Sequence, residues 1–224
     1  AILGLKPEEK DAYFLRGSAE LELGDYESAK ADFDQAISMD PKNYDRLIEI
    51  YEALADYGYR EVGQEYLQNV LDTAKQLDAY DSGRIYYYLG DYQKAYLALE
   101  EAKGKGGVDS YLYLGKAYAA TGDYNYASSV YSNYLSKQGP DAEIYNQLGL
   151  CELAKKDYQK ALEAFQAGKQ IEGNSLMQTL SFNEIVAYEY LQDYQKAAVL
   201  LNAYLQNYPD DQAAIREQQF LSTR

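Results

Sequence analysis

The chain has 224 residues, and 21 Lys and Arg against 36 Asp and Glu give it a formal net charge of −15, which repels both nucleic-acid phosphates and anionic lipid surfaces. It contains no histidine, so imidazole bases, Ser-His-Asp triads and HExxH zinc sites are excluded, and the lone Cys151 can close no internal disulfide or thiolate cluster. Tyrosine dominates the aromatic content, with 27 Tyr, five Phe and no Trp, so aromatic burial falls to a ring that carries a hydroxyl.

In chain order, the first segment is Ala1–Pro7. Pro7 and Pro41 are one period of about 34 residues apart, so residues 1–7 read as the tail of an upstream repeat, or as a linker whose Leu5 caps the first helix apolarly. A turn motif then recurs as Gly24-Asp25-Tyr26, Gly90-Asp91-Tyr92 and Gly122-Asp123-Tyr124, with the degenerate Lys156-Asp157-Tyr158 and Gln192-Asp193-Tyr194, and Tyr59 in the remaining gap. Small residues follow at Ala29, Gly63, Ala95, Ala127, Ala161 and Ala197, and large apolar ones at Phe33, Leu67, Leu99, Tyr131, Phe165 and Leu201. With Ala36, Val70, Ala102, Tyr134, Gly168 and Tyr204 after them, this is i, i+4, i+7 helical spacing.

A second helix is implied before each turn, with Gly17, Gly83, Gly115 and Gly149 in phase on its inner face. Glycine costs about 1 kcal/mol inside a helix, so its recurrence predicts close passage of a neighbouring backbone. Each unit reads as helix, tight turn, helix, over about 10–43, 44–75, 76–107, 108–141, 142–175 and 176–209. Pro41, Pro140 and Pro209 stop helices between units. Lys103-Gly104-Lys105-Gly106-Gly107 is a flexible inter-repeat turn and a hinge, because it lacks the Gly-Lys-Ser/Thr ending of a phosphate loop. Asp210 or Asp211 starts a terminal capping helix over residues 210–222.

These residues resemble the tetratricopeptide repeat family, whose units carry an aromatic and Leu-Gly in helix A, Gly-Asp-Tyr at the turn, Ala, aromatic and Ala in helix B, and a closing Pro. The first unit follows that pattern through Tyr13, Gly17, Gly24-Asp25-Tyr26, Ala29, Phe33, Ala36 and Pro41, and the fourth through Tyr111, Leu114-Gly115, Tyr118 and Gly122-Asp123-Tyr124. Tyr51 and Ile185 depart from it at the inner glycine place, and the early Tyr59 makes the second unit irregular. The resemblance implies an all-α, right-handed superhelical solenoid whose A helices line a concave groove that binds peptides.

On that frame the groove is lined by Asp11, Phe14, Ser18 and Leu21, then Asp45, Ile48, Glu52 and Ala55, then Tyr80, Arg84 and Tyr87, then Asp109, Leu112, Lys116 and Ala119. Arg84 and Lys116 fall at equivalent places in consecutive repeats, and with Tyr80, Tyr87 and Leu112 they form the candidate seat for an acidic or carboxylate-bearing peptide. The bland alternative pairs both cations with Asp or Glu on adjacent helices. The Lys and Asn residues with which one subset of the family clamps chaperone C-termini are not reproduced, since Phe14 and Ser18 stand there.

The acidic pairs read as solvated helix faces and caps, and Cys151 as a small core residue. No catalytic residue, metal ligand or cofactor loop is expected. The function read from the residues is a non-catalytic adaptor or scaffold that binds a protein or peptide partner. The alternative is a small-ligand or carbohydrate-binding component of an exported bacterial protein, and self-association through Ile2, Leu3 and Leu5 is a further option. Nucleic acid and direct membrane insertion are not expected, since no apolar run of about 18 residues is present. Ala1 is not an initiator Met, which allows for a targeting segment removed from in front of it, and both cytoplasmic and exported or surface-anchored locations stay open.

Overall fold

The structure, a computed structural model, describes residues 10–103, 105 and 107–223. Among the described residues there are thirteen helices and no strand: α1 Lys10–Glu22, α2 Tyr26–Met39, α3 Tyr44–Asp56, α4 Arg60–Thr73, α5 Ala79–Leu89, α6 Tyr92–Ala102, α7 Val108–Ala120, α8 Tyr124–Gln138, α9 Ala142–Ala154, α10 Tyr158–Lys169, α11 Met177–Tyr190, α12 Tyr194–Asn207 and α13 Gln212–Leu221. The chain divides into two compact units between Ala95 and Tyr96, inside α6. In the first unit α1 packs on α2 and α3 on α4, followed by α5; in the second α7 packs on α8, α9 on α10, α11 on α12 and α12 on α13. The expectations for Ala1–Pro7, and for Gly104 and Gly106 of the glycine-rich turn, lie outside the described residues.

The recurring tripeptide builds each hairpin by a division of labour. Gly24 ends α1 in the left-handed region at φ 79°, Asp25 accepts the backbone N–H of Ser28 to cap α2, and Tyr26 begins the helix. The Asp123, Asp157 and Asp193 side chains cap α8, α10 and α12 in the same way. The second repeat is where the sequence expectation needs correcting. Its turn glycine is Gly58, at φ 88°, and Tyr59 occupies the capping place, where it makes no side-chain cap bond. Its ring instead stacks on Tyr26 at 4.1 Å and 18°. In the two degenerate turns Lys156 and Gln192 adopt φ 64° and 63°, a conformation in which a Cβ is strained.

Inside the hairpins the inner glycines answer to side chains more than to backbone, which revises the reason expected for them. A Cβ at Gly115 would lie 2.2 Å from Cζ of Tyr131, and one at Gly149 would lie 2.3 Å from Cε1 of Phe165. At Gly17 the Phe33 ring at 2.8 Å is joined by the Ala29 carbonyl at 3.1 Å. Where helix B supplies Leu67 or Leu201 instead of an aromatic, helix A supplies Tyr51 or Ile185, and each pair shares one buried cluster. The second repeat also reverses the arrangement, since a Cβ on Gly63 of helix B would lie 2.9 Å from the Tyr51 ring. Cys151 is buried on α9. At the far end Asp211 caps α13 through the N–H groups of Ala213 and Ala214 and accepts the Tyr204 hydroxyl at 2.5 Å, and Ala214 and Leu221 bury themselves in the α11–α12 cluster.

Gly115→Ala is expected to destabilise the chain by about 1–3 kcal/mol through overpacking, with partial recovery in the double variant Gly115→Ala, Tyr131→Leu; thermal melting of the three proteins checks this. Lys156→Gly and Gln192→Gly are each expected to raise stability by about 0.5–1 kcal/mol by relieving the left-handed strain, read as an upward shift in melting temperature.

Candidate functional site

The A-helix faces are cross-linked by polar groups at an offset of about one repeat. In the first unit Arg46 of α3 reaches back to Asp11 of α1 at 2.8 Å and also meets Glu49 at 3.0 Å, while its guanidinium lies 4.1 Å from the Phe14 ring centroid. Arg84 of α5 repeats the motif: it bonds Asp45 of α3 at 2.5 Å and Asp81 one turn back at 2.6 Å, and lies 4.3 Å from the Tyr80 ring centroid. Asp11 and Asp45 are equivalent positions, so in each of the first two repeats an aspartate receives an arginine from the next. The Tyr88 hydroxyl donates to Glu52 at 2.5 Å on the same pair of helices, and Tyr87 sets its ring edge-on to Tyr88 at 5.3 Å and 80°.

Arg84 is only 6% exposed. Burial by itself would lower its pKa, yet the hydrogen bonds it donates to Asp45 and Asp81 outweigh that effect and hold it above the ordinary value. Burial lifts the Asp81 carboxyl above its usual range, against the pull of Arg84. The charge of Arg84 is therefore met from within the unit. Its chemical role is to fix the Tyr80 ring and to tie α5 to α3.

In the second unit Lys116 of α7 approaches Glu143 of α9 at 3.7 Å, with its side chain 32% exposed, and lies 5.9 Å from the Tyr113 ring centroid. Glu143 also accepts Gln147 at 2.8 Å. One repeat on, Asn183 of α11 donates to Asn146 of α9 at 2.8 Å. Leu112 is nearly buried, and its carbonyl accepts the Tyr131 hydroxyl at 3.4 Å; Leu150 on α9 is 39% exposed. Of the five candidate residues, then, Tyr80 and Arg84 are in contact, Tyr87 stands in the neighbouring aromatic cluster, and Leu112 and Lys116 belong to the second unit. Sequence reasoning passed over Arg46, Glu143 and the Asn146–Asn183 pair. A signal for Arg46 was present: opposite charges at Asp11 and Arg46 separated by about one period.

Chemistry of other kinds finds little support in the side chains. No group of three or more His, Cys, Asp or Glu able to hold a metal occurs among the described residues, and none of their helices is long and apolar enough to cross a membrane. Burial pushes the Cys151 thiol up to about 12, with Glu152 adding to the rise, so it is a protonated packing group at neutral pH.

Tetratricopeptide repeat models match residues 10–43, 112–175 and 182–211, together more than half of the chain. The chain is a tetratricopeptide repeat protein. No curated protein sequence matches it. Among solved structures it is similar to PilW, a widely conserved type IV pilus biogenesis factor, at 15% identity and a TM-score of 0.66 over 95% of this chain and 97% of that one. It is similar to PilF of Pseudomonas aeruginosa at 17% identity and 0.56, covering 96% and 97%. YrrB, described as a tetratricopeptide repeat protein with an unusual peptide-binding site, aligns at 20% identity and 0.55 over 84% and 97%. At these identities the likeness is one of fold. Tetratricopeptide repeats serve protein–protein association and are generally non-catalytic.

One ionisable pair in this repeat protein couples its last helices to pH. Glu189 on α11 is lifted to about 7, first by burial and then by Glu217 on α13, and its Oε1 is buried without a hydrogen-bond partner. The folded state binds this proton more tightly than the unfolded chain, whose value is 4.5. The stabilisation is therefore complete below about pH 4.5 and is lost as pH rises through about 7. Melting temperatures measured from pH 5 to 8 are expected to fall across that window, and Glu189→Gln is expected to flatten this part of the profile.

Proposed function

We propose that this tetratricopeptide repeat protein is a non-catalytic adaptor that holds an extended partner segment on its A-helix faces. The observation that carries the reading is the ladder of cross-links between successive A helices, Asp11–Arg46, Asp45–Arg84, Lys116–Glu143 and Asn146–Asn183. It sets each face in one register before any partner arrives, and such preorganisation lowers the ordering cost of binding. On the first unit Tyr80, braced by Arg84, and Tyr87 supply rigid aromatic contact area. On the second unit Lys116, partly exposed and held by one long contact, exchanges Glu143 for a carboxylate of the partner, beside Leu112 and the exposed Leu150. The unusual peptide-binding site of YrrB belongs to that protein and supports the proposal by analogy of fold alone.

Selection from a displayed random-peptide library against the full chain is expected to enrich acidic sequences with apolar neighbours. Calorimetry on enriched peptides should show Lys116→Glu weakening binding about tenfold or more and Tyr87→Ala weakening it about fivefold. Arg84→Glu is unsuited to the purpose, because it would set a third carboxylate against Asp45 and Asp81 and damage the fold. Unchanged affinity in both Lys116→Glu and Tyr87→Ala would remove the A-helix faces from consideration.

A further inference from the structure

The strongest observation outside the A-helix faces concerns how the first unit uses its cations. Arg16, Lys30, Arg46, Arg84 and Lys94 each pair with a carboxylate, and Arg60 donates to the Tyr51 hydroxyl at 3.4 Å. Among the described side chains of that unit only Lys42 and Lys75 make neither kind of contact. Both line one cavity of about 530 Å³. It lies between the α2–α3 loop and the last turn of α4 with the loop that follows, on the edge where one repeat passes to the next.

The lining contains no Asp or Glu, although the sequence holds 36 of them. Pro41, Val70 and Ala74 give the cavity apolar lining, and two further donor residues, Tyr44 and Gln76, line it with the two lysines. Neither of these donors has a hydrogen-bond partner among the described residues. The volume falls in the range of small-ligand sites, roughly 300–1,000 Å³. Two point-charge donors sharing a cavity with apolar residues are complementary to a carboxylate with an apolar side chain beside it.

We propose that this cavity is a second peptide site, which takes an acidic residue of a partner segment between Lys42 and Lys75 and the adjoining apolar residue against Pro41, Val70 and Ala74. A polyanion is disfavoured as the ligand, because a chain of net charge −15 repels it at every point beyond the two lysines. The last turn of α4 directs its carbonyl dipoles toward this edge and opposes an anion there, and the two lysines are the charges that offset it. The site is independent of the A-helix faces and stands or falls separately from Lys116 and Tyr87.

The experiment is an NMR titration of the isotope-labelled full chain with the acetylated peptide Leu-Glu-Leu-Glu-Leu, following the Lys42 and Lys75 side chains and the Ala74 methyl group. Saturable shifts at these three groups are expected. Affinity should drop at least fivefold in Lys42→Gln and again in Lys75→Gln, and at least tenfold when both Glu of the peptide are replaced by Gln. Lys137→Gln, a control at an exposed lysine of α8 in the second unit, should leave the affinity unchanged. The proposal is overturned by absence of saturable shifts, by an equal loss with Lys137→Gln, which would mean diffuse charge attraction, or by inorganic phosphate competing as well as the peptide, which would mean a simple anion site. Circular dichroism of each variant confirms that the exposed substitutions leave the helices intact.

Discussion

The structure depends on a constraint of volume between the two helices of a hairpin. Close-packed interiors tolerate neither a void nor an extra methyl group, and a single contact between helix A and helix B sets how near they approach. Gly17 stands opposite Phe33, Gly115 opposite Tyr131 and Gly149 opposite Phe165. Elsewhere the bulk moves to the other partner, so Tyr51 shares its cluster with Leu67 and Ile185 with Leu201. What recurs is a close fit between the two facing positions, met by different residue pairs in different repeats. That keeps the hairpins alike in thickness and lets each present the same flank to its neighbour.

On this frame the chain solves a shortage of cations. With 21 basic residues against 36 acidic ones, carboxylates at the contacts between helices cannot all be met by ammonium or guanidinium groups. Phenol hydroxyls meet others, Tyr88 donating to Glu52 at 2.5 Å and Tyr204 to Asp211 at 2.5 Å, and Tyr66 joins Lys30 on Asp34 at 2.6 Å. Other tyrosine rings stack on one another, as Tyr26 does on Tyr59 and Tyr158 on Tyr190. A residue that is apolar in its body and a donor at its tip suits both demands, which accounts for the abundance of tyrosine without invoking a ligand. In the first unit Arg46 and Arg84 serve the A-helix cross-links, whereas Lys42 and Lys75 line one cavity without an ion pair among the described residues.

Legibility in the sequence varied with the range of the interaction. Gly24-Asp25-Tyr26 and its copies announce their turns because each residue acts on its own backbone or on an N–H three residues ahead. Gly58 was harder to read, since Tyr59 replaces the capping aspartate that marks the motif elsewhere. The inner glycines were visible as a pattern, but their cause was not, because the ring that occupies the space belongs to another helix. At the candidate site Arg84 and Lys116 were recognisable as basic residues on A helices. The consumption of Arg84 by Asp45 and Asp81, and the looser hold of Glu143 on Lys116, could not be read from one helix at a time.

The amino-acid sequence by itself determined the helical class, the period, the turn chemistry and the family, because all of these rest on spacings of three to eight residues repeated along the chain. The tertiary structure alone decided which charges are spent and which remain available. Partners such as Asp45 and Arg84, or Asn146 and Asn183, are brought within bonding distance by the lateral stacking of separate hairpins. A shift of one helical turn, about 5.4 Å, would have paired each of them differently.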